Sequence, residues 1–585
     1  MGGGALVCVT AIIAGVVIGF VGGAFRWCLD RADVLRTDLV DWAHRLPGPG
    51  WLVPVAVAAL GATVAALIVR RVPLAAGSGI QHVEAVFRGS ATPPPLLLLP
   101  AKFIGGVIAI GSGLVLGREG PTVHMGAVIG AEAARRARLP DPDVRMMQTA
   151  LGGAGLAVAF NAPIGGVLFT LEEATKSFRV RTVLTTVLAA ATAVGCSRLL
   201  VGNHPDFLVE PIAAPSVALL PLFAVFGLLT GCLGVAYNRL LLVFLDTVAG
   251  VRLIPKVLKA SIIGAVIGLL MAVDPLTVGG GDTLTQLIVG GNHVVVPAML
   301  GYLLVRFIAG PLSYSAAVPG GLFAPLLAIG ALWGVLFVGV VDALWPGDAT
   351  SLMVPMAIVG MGAFFGATVR APVTGMVIVI EMTATTSVAV PMMAATAAAV
   401  LVAEFFKAQP IYDSLGKRMP AEIAMLDDPE RERGNKGPAA VVVRPVTEHA
   451  ELSPTEWVRE QTERILKQGT TDGVEVQDRP IVLFTTTGVK SGKKRYVPLM
   501  RVEEDGRYAM VASKGGAPEH PSWYFNVKAN PAVTVQDGEK IANLTAREIE
   551  GAEREHWWKL AVEAYPSYAE YQTKTDRLIP VFVVE

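Results

Sequence analysis

The sequence predicts a polytopic α-helical membrane protein with an internal repeat of broken helices, followed by a small soluble α+β domain. Three observations carry this. Of 585 residues, 53% are hydrophobic and only 16% charged, far from ordinary globular usage. Roughly 43 of the 96 charged residues fall in 1–405 and about 53 in the last 180, so the two parts of the chain meet different solvents. Two short motif pairs also recur in register along the apolar part. The net charge of zero describes neither part and argues against a nucleic-acid role.

Apolar stretches recur at 5–24, 51–69, 95–116, 148–171, 182–201, 215–245, 257–273, 295–311, 320–343, 352–380 and 386–405. Several match the roughly 20 residues that cross a bilayer. Residues 5–24 have no cationic leader and no small-residue cleavage site, and read as a retained membrane helix. Other stretches are interrupted, as at Gly111-Ser112-Gly113 and Pro319-Gly320-Gly321. Broken helices at membrane depth survive only inside protein or beside a water-filled cavity, which points to a transporter or channel core.

The first repeated motif is Asn161-Ala162-Pro163-Ile164-Gly165-Gly166, followed by Glu172. It matches Arg370-Ala371-Pro372-Val373-Thr374-Gly375, followed by Glu381. The second, Gly117-Arg118-Glu119-Gly120-Pro121 with Gly126-Ala127, matches Gly321-Leu322-Phe323-Ala324-Pro325 with Gly330-Ala331. Corresponding broken helices in two halves are the best sequence pointer to a transport site. The clusters Arg135, Arg136, Arg138, Arg145 and Lys176, Arg179, Arg181 read as cytoplasmic loops.

The four cysteines, Cys8, Cys28, Cys196 and Cys232, lie in the apolar part without a CxxC pair, so neither a disulfide framework nor a metal site is expected. Residues 427–438 are charged and contain Gly and Pro, as a linker does. Beyond them a helix is expected at 453–468. Strands are expected at 480–486, 496–502, 507–513 and 531–536, a helix at 551–564 and a last strand at 578–584.

Four segments carry anion chemistry. Gly77-Ser78-Gly79-Ile80-Gln81 offers a hydroxyl on flexible backbone, and Gly117-Arg118-Glu119-Gly120-Pro121 sets a carboxylate at a helix start. Gly321-Leu322-Phe323-Ala324-Pro325 offers backbone N–H groups at another, and Pro410-Ile411-Tyr412 a phenol. Converging helix N-termini bind an anion through N–H donors and partial positive charge, and hydroxyls donate directly. Alone, each residue has a plainer reading: Glu119 or Ser78 as a cap, Tyr412 as an interfacial aromatic.

Together these segments resemble the chloride channel/exchanger (CLC) family, over about residues 5–418 and in the right order; Gln81 departs from the usual Pro. The resemblance implies an inverted repeat and a homodimer with one pathway per subunit. It implies that Ser78, Tyr412 and the Leu322 and Phe323 amides bind the anion. Glu119 is then the gating glutamate, and Glu173 the internal proton-relay glutamate of family exchangers. The expected partners are chloride, protons and the lipid bilayer, with no cofactor on the membrane domain. His124 is expected to pack or hydrogen-bond, and Glu381 to echo Glu172 structurally.

A second resemblance covers about 440–585. It rests on Thr486-Thr487-Gly488-Val489-Lys490-Ser491-Gly492 with Arg495, on Ala512-Ser513-Lys514-Gly515-Gly516-Ala517-Pro518, and on Pro521-Ser522-Trp523-Tyr524. Asn530-Pro531 and the tail from Ala564 to Tyr571 complete it. This region is similar to the deazaflavin-dependent nitroreductase family, split β-barrels that use coenzyme F(420). The basic turn at Lys490, Lys493, Lys494 and Arg495 suits an anionic tail. The resemblance implies that Lys490, Ser491, Gly492, Arg495, Ser513, Lys514, Gly515 and Gly516 hold the cofactor. Tyr565, Tyr568 and Tyr571 share one side of a helical turn and could wall a substrate pocket.

The expected organisation is therefore a transport domain at 1–418, a linker at 419–438 and a cytoplasmic reductase-like domain at 439–585. The expected function is chloride/proton antiport in the cell membrane. The alternatives are a voltage- or proton-gated chloride channel with a cofactor-sensing domain, and an enzyme anchored by an inactive membrane part.

Overall fold

The computed structural model describes residues 3–291, 296–344, 350–419, 452–453, 456–476, 479–489, 492–504, 506–538 and 540–585. The chain divides into two compact units, Met1–Arg433 and Gly434–Glu585. The stretch read as a linker lies, from 420 onward, outside the described residues.

In the first unit seven helices of the described residues are long and apolar enough to cross a membrane. The first, Gly3–His44, runs well past the 5–24 stretch. Its continuation is largely exposed but anchored by two buried arginines, Arg26 and Arg36, of which Arg26 pairs with Asp206 at 2.6 Å. The apolar run 352–380 is two helices, Met353–Val369 and Pro372–Thr383, and the run 148–171 breaks in the same way before Pro163. At each break the residue before Ala-Pro, Asn161 or Arg370, has positive φ, and the proline then opens the next helix.

The halves share a glycine seam. Cβ atoms on Gly126 and Gly130 would overlap the carbonyls of Leu151 and Met147 in the helix Asp141–Ala159. Cβ atoms on their repeat partners Gly330 and Gly334 would overlap the carbonyls of Gly360 and Met356. Without a hydrophobic force between helices in lipid, such close approach is what packs them.

The halves also cap one another. Glu172 of the first half accepts the amides of Val373 (3.1 Å) and Thr374 (2.6 Å) and the Thr374 hydroxyl (2.7 Å). Glu381 of the second half accepts the amides of Ile164 (3.1 Å) and Gly165 (2.7 Å). Each carboxylate therefore satisfies the open N–H groups of the opposite half's proline-started helix. The helix Pro163–Phe169 continues into a single π-helical turn, Thr170–Ala174, which sends Glu172 outward to this clasp and buries its neighbour Glu173.

The second unit is one antiparallel sheet with helices. Its strands are β1 (Glu475–Val476), β2 (Arg479–Thr487), β3 (Lys494–Met500), β4 (Glu503–Glu504), β5 (Arg507–Val511), β6 (Ala532–Asp537), β7 (Lys540–Glu548) and β8 (Val581–Val584). The order is β1-β2-β6-β7-β8-β5-β4, with β3 on β2, a curled sheet consistent with a split barrel. All four residues of β8 are buried because both faces are covered. Phe582 and Val584 join Phe484 and Trp523 on one side, and Val581 and Val583 join Trp557 and Tyr565 on the other. Strand β7 was not among the expected strands. Most of its residues are exposed, so it lacks the apolar alternation that marks the others, and it forms by pairing along β6.

Glu381→Ala strips two backbone donors of their charged acceptor. It should lower the melting temperature of the detergent-solubilised protein by a few degrees, with Glu381→Gln intermediate. A thermal scan in which neither variant moves would remove the clasp from the forces holding the halves together.

Candidate functional site

The broken-helix loops of the two halves meet backbone to backbone. Gly117 and Gly321 exchange reciprocal N–H···O bonds at 2.9 and 2.7 Å. Gly77 donates to the Val318 carbonyl (3.0 Å) and accepts from the Gly320 amide (3.2 Å). This knot aims three helix starts at one region: Ile80–Phe87 after Ser78, Glu119–Arg136, and Phe323–Leu344.

Ser78, Glu119, Leu322, Phe323 and Tyr412 are all fully buried. Glu119 Oε1 accepts the Phe323 amide at 2.5 Å, so the carboxylate itself sits where a helix N-terminus would hold an anion. The Phe323 ring packs edge-on against Tyr412 at 5.5 Å. A Cβ on Gly120 would lie 2.5 Å from Ser78 Oγ, so glycine there lets the two loops touch. The Ser78 and Tyr412 hydroxyls and Glu119 Oε2 meet no partner with acceptable hydrogen-bond geometry. Buried hydroxyls are ordinarily satisfied, and these two, which face each other beside a row of amides, have the donors to receive one small anion.

Residues outside the expected set hold this arrangement. Lys102 Nζ donates to the Gly77 (2.7 Å) and Ser78 (3.2 Å) carbonyls, and Tyr314 Oη accepts the Ser78 amide at 3.4 Å. Lys102 is the lone charge in the apolar run up to Arg118, and an intramembrane cation was the available signal. The Arg118 guanidinium is turned away from its neighbour Glu119. It binds Asp206 at 3.0 Å, Asp30 at 3.5 Å and the Ala159 carbonyl at 3.0 Å. With that cation committed, Glu119 is held by amides alone.

Glu173 is buried with Oε1 unpartnered. Its acidic neighbour Glu84, also missed from the sequence, pairs with Arg88 at 2.9 Å, and Asp413 bridges Arg88 (3.5 Å) and Lys176 (3.6 Å). Glu84, Arg88, Lys176, Tyr412 and Asp413 line a cavity of about 450 Å³, which brings water-accessible space up to the Tyr412 side chain.

In the second unit a cavity of about 890 Å³ is lined by Val489, Arg495, Lys514, His520, Phe525 and Lys528, among others. Arg495 and Lys514 are therefore brought together. Ser513, Gly515 and Gly516 lie on the Lys514 loop, Gly492 lies on the β2–β3 turn, and Lys490 and Ser491 fall outside the described residues. The loop is shaped by Arg577, unremarked in the sequence. Its guanidinium donates to the carbonyls of Ala512 (3.0 Å), Ser513 (2.9 Å) and Ala517 (2.9 Å) and to His520 Nδ1 (3.1 Å). Partial burial and the Arg577 charge hold His520 below the usual imidazole pKa, as an acceptor must be.

Tyr565 and Tyr568 are buried in a core cluster with Trp557, and Tyr571 is half-buried with its hydroxyl 3.3 Å from that of Tyr565. None of the three lines the cavity. The helix Ser567–Thr573, which carries Tyr568 and Tyr571, instead touches the loop, since a Cβ on Gly516 would lie 2.8 Å from the Tyr571 carbonyl. Among the described residues, no group of three or more His, Cys, Asp or Glu could hold a metal.

Residues 60–404 match the family model described as voltage gated chloride channel, and residues 457–585 that described as F(420)H(2)-dependent quinone reductase. The H(+)/Cl(-) exchange transporter ClcA of Vibrio parahaemolyticus is 37% identical over 421 residues, 70% of this chain and 89% of that protein. The protein of the same name from Vibrio cholerae is 35% identical over 419 residues, 69% of this chain and 88% of that one. A solved structure, a slow cyanobacterial Cl-/H+ antiporter, aligns with a TM-score of 0.66 at 28% identity, covering 71% of this chain and 97% of its own.

Ser78→Ala and Tyr412→Phe each remove one donor to a buried charge. Each should weaken halide binding about tenfold by calorimetry. Unchanged affinity in both would make the hydroxyls structural.

Proposed function

The chain belongs to the voltage gated chloride channel family, and on that premise we propose that its membrane domain exchanges chloride for protons. The chain is a multi-pass membrane protein. The observation that carries the antiport reading is the Glu119 carboxylate seated on the Phe323 amide, with two unspent hydroxyls beside it. Ionised, the carboxylate takes the place of an anion at the helix N-terminus. Protonated, it loses the charge that the N-terminus attracts, and chloride competes successfully for the amides and for the Ser78 and Tyr412 hydroxyls. Proton and anion thus claim the same position alternately, which couples their movements.

Glu173 supports a separate proton route. It is buried and unpartnered at one oxygen, and beside it Glu84 reaches the cavity that ends at Tyr412. A carboxylate so placed holds a proton away from the anion path. The antiport reading as a whole is supported by the relatives' name, H(+)/Cl(-) exchange transporter.

For the C-terminal unit we propose binding of coenzyme F(420), on the cytoplasmic side, with reduction of a quinone or nitroaromatic as its chemistry. The residues present fit such a cofactor. Arg495, Lys514 and Lys528 offer cationic groups to a phosphate and polyglutamate tail, while the half-exposed Phe525 and Val489 offer apolar walls to a ring. Asn526 Oδ1 accepts the Val489 amide at 3.0 Å and fixes the wall's position. When bound, the cofactor supplies hydride; the protein supplies orientation and electrostatics. Assembly as a homodimer, one pathway per subunit, belongs to the same proposal.

In proteoliposomes Glu119→Gln should keep chloride flux while proton flux falls to background, because an amide cannot carry a proton. Glu173→Gln should lose proton flux with Glu119 still gating. Wild-type chloride flux without uphill proton movement would replace antiport by a channel.

For the second unit, titration of the full-length protein with reduced F(420) should show binding. Arg495→Glu should weaken it about tenfold at low salt, with the difference shrinking at high salt. No binding by the wild type would end the cofactor reading.

A further inference from the structure

Two buried histidines lie directly behind the Ser78 loop. His82, in the helix Ile80–Phe87, and His124, in Glu119–Arg136, face each other with Nδ1 of the first 3.1 Å from Nε2 of the second. Their exposures are 2% and 0%. Neither is used by the anion or proton steps above.

His82 also hydrogen-bonds the Thr92 backbone, and His124 Nδ1 has no partner. In the tautomer in which His124 Nε2–H donates to His82 Nδ1, His124 Nδ1 carries a lone pair. One further proton can be added there without breaking either existing bond.

That nitrogen lies against Gly79, the residue after Ser78, so closely that a Cβ on Gly79 would overlap the ring. Both imidazoles also line a cavity of about 450 Å³ with Gln81, Tyr314, Asp246 and Arg418, through which a proton can arrive. The charged and titratable groups around the pair are Lys102 on the helix Leu98–Gly111, Tyr314, Asp246 and Arg418. Neither Asp246 nor any other carboxylate is hydrogen-bonded to the pair among the described residues.

We propose that His82 and His124 form a proton-binding pair whose charge sets the affinity of the Ser78 anion site. This rests on the anion-site reading. A proton on the pair places a cation one residue from Ser78, on a backbone already held by the Lys102 ammonium. The mutual repulsion of these two cations is relieved by an anion at Ser78. Anion and proton therefore bind more tightly together than apart, and the coupling is reciprocal. The pair is distinct from Glu119, whose proton frees the anion position and whose contribution can be removed by substitution.

The test is calorimetric chloride binding by the purified full chain at pH 4.0 and 7.5 in the Glu119→Gln background, which removes the gating carboxylate's own titration. Affinity should rise about three- to tenfold at the lower pH. Adding His124→Gln, or independently His82→Asn should the first variant not fold, should flatten that dependence while chloride still binds at pH 7.5. A pH ratio that survives in a folded histidine variant, or is absent from the Glu119→Gln protein, overturns the proposal. Absence of chloride binding at both pH values would instead sink the anion-site reading beneath it.

Discussion

A charge carried through an apolar solvent has to be answered at every point, and in this chain the answer is backbone. The Phe323 amide meets Glu119 at 2.5 Å, and everything around it keeps that amide and its neighbours pointed inward. The reciprocal Gly117–Gly321 pairing joins two loops that neither half could hold open alone. Glycines at 117, 120 and 321 leave the space into which the carboxylate and the Ser78 hydroxyl fit. The nearest full cation, Arg118, is tied to Asp206 and Asp30. A guanidinium bound to Glu119 would fix the carboxylate in place. Amides hold it without a partner cation, which is what the proposed exchange of carboxylate for anion requires.

Partial satisfaction recurs around the candidate site. Ser78, Tyr412, Glu119, Glu173 and His124 each keep one buried polar atom unpartnered. Three supporting groups are better supplied: Lys102 reaches two carbonyls, and Glu172 and Glu381 each take at least two amides, whereas Arg26, Arg36 and Asp206 also keep buried atoms unpartnered.

Much of this was legible in the sequence, for definite reasons. The two motif pairs were visible because a broken helix needs Gly and Pro at fixed points, and Glu119 and Phe323 sit on those breaks, while Ser78 and Tyr412 each stand beside a Gly or Pro at a helix start. Lys102, Glu84, His82 and Tyr314 were not assigned roles. They lie within ordinary helical runs; the partners of Lys102, His82 and Tyr314 are distant in sequence, and Glu84 with Arg88 four residues on has the spacing of any solvated helix pair. In the second unit the basic turn and the Gly-rich loop stood out, whereas Arg577 did not, since one arginine near a strand has no pattern until the loop folds round it. The tyrosines recur every third residue, yet that periodicity serves a packed interior at Tyr565 and Tyr568 as readily as a pocket wall.

The exchange of carboxylates between the halves also bears on biogenesis. Synthesis runs from the N-terminus, so the helix opening at Pro163 is made long before Glu381 exists to cap it. Until then its first amides must be met by water, lipid headgroups or the insertion machinery. The first half is therefore a waiting intermediate, and the arrival of the second closes both helices at once, so that a truncated product would present an open end for surveillance to find.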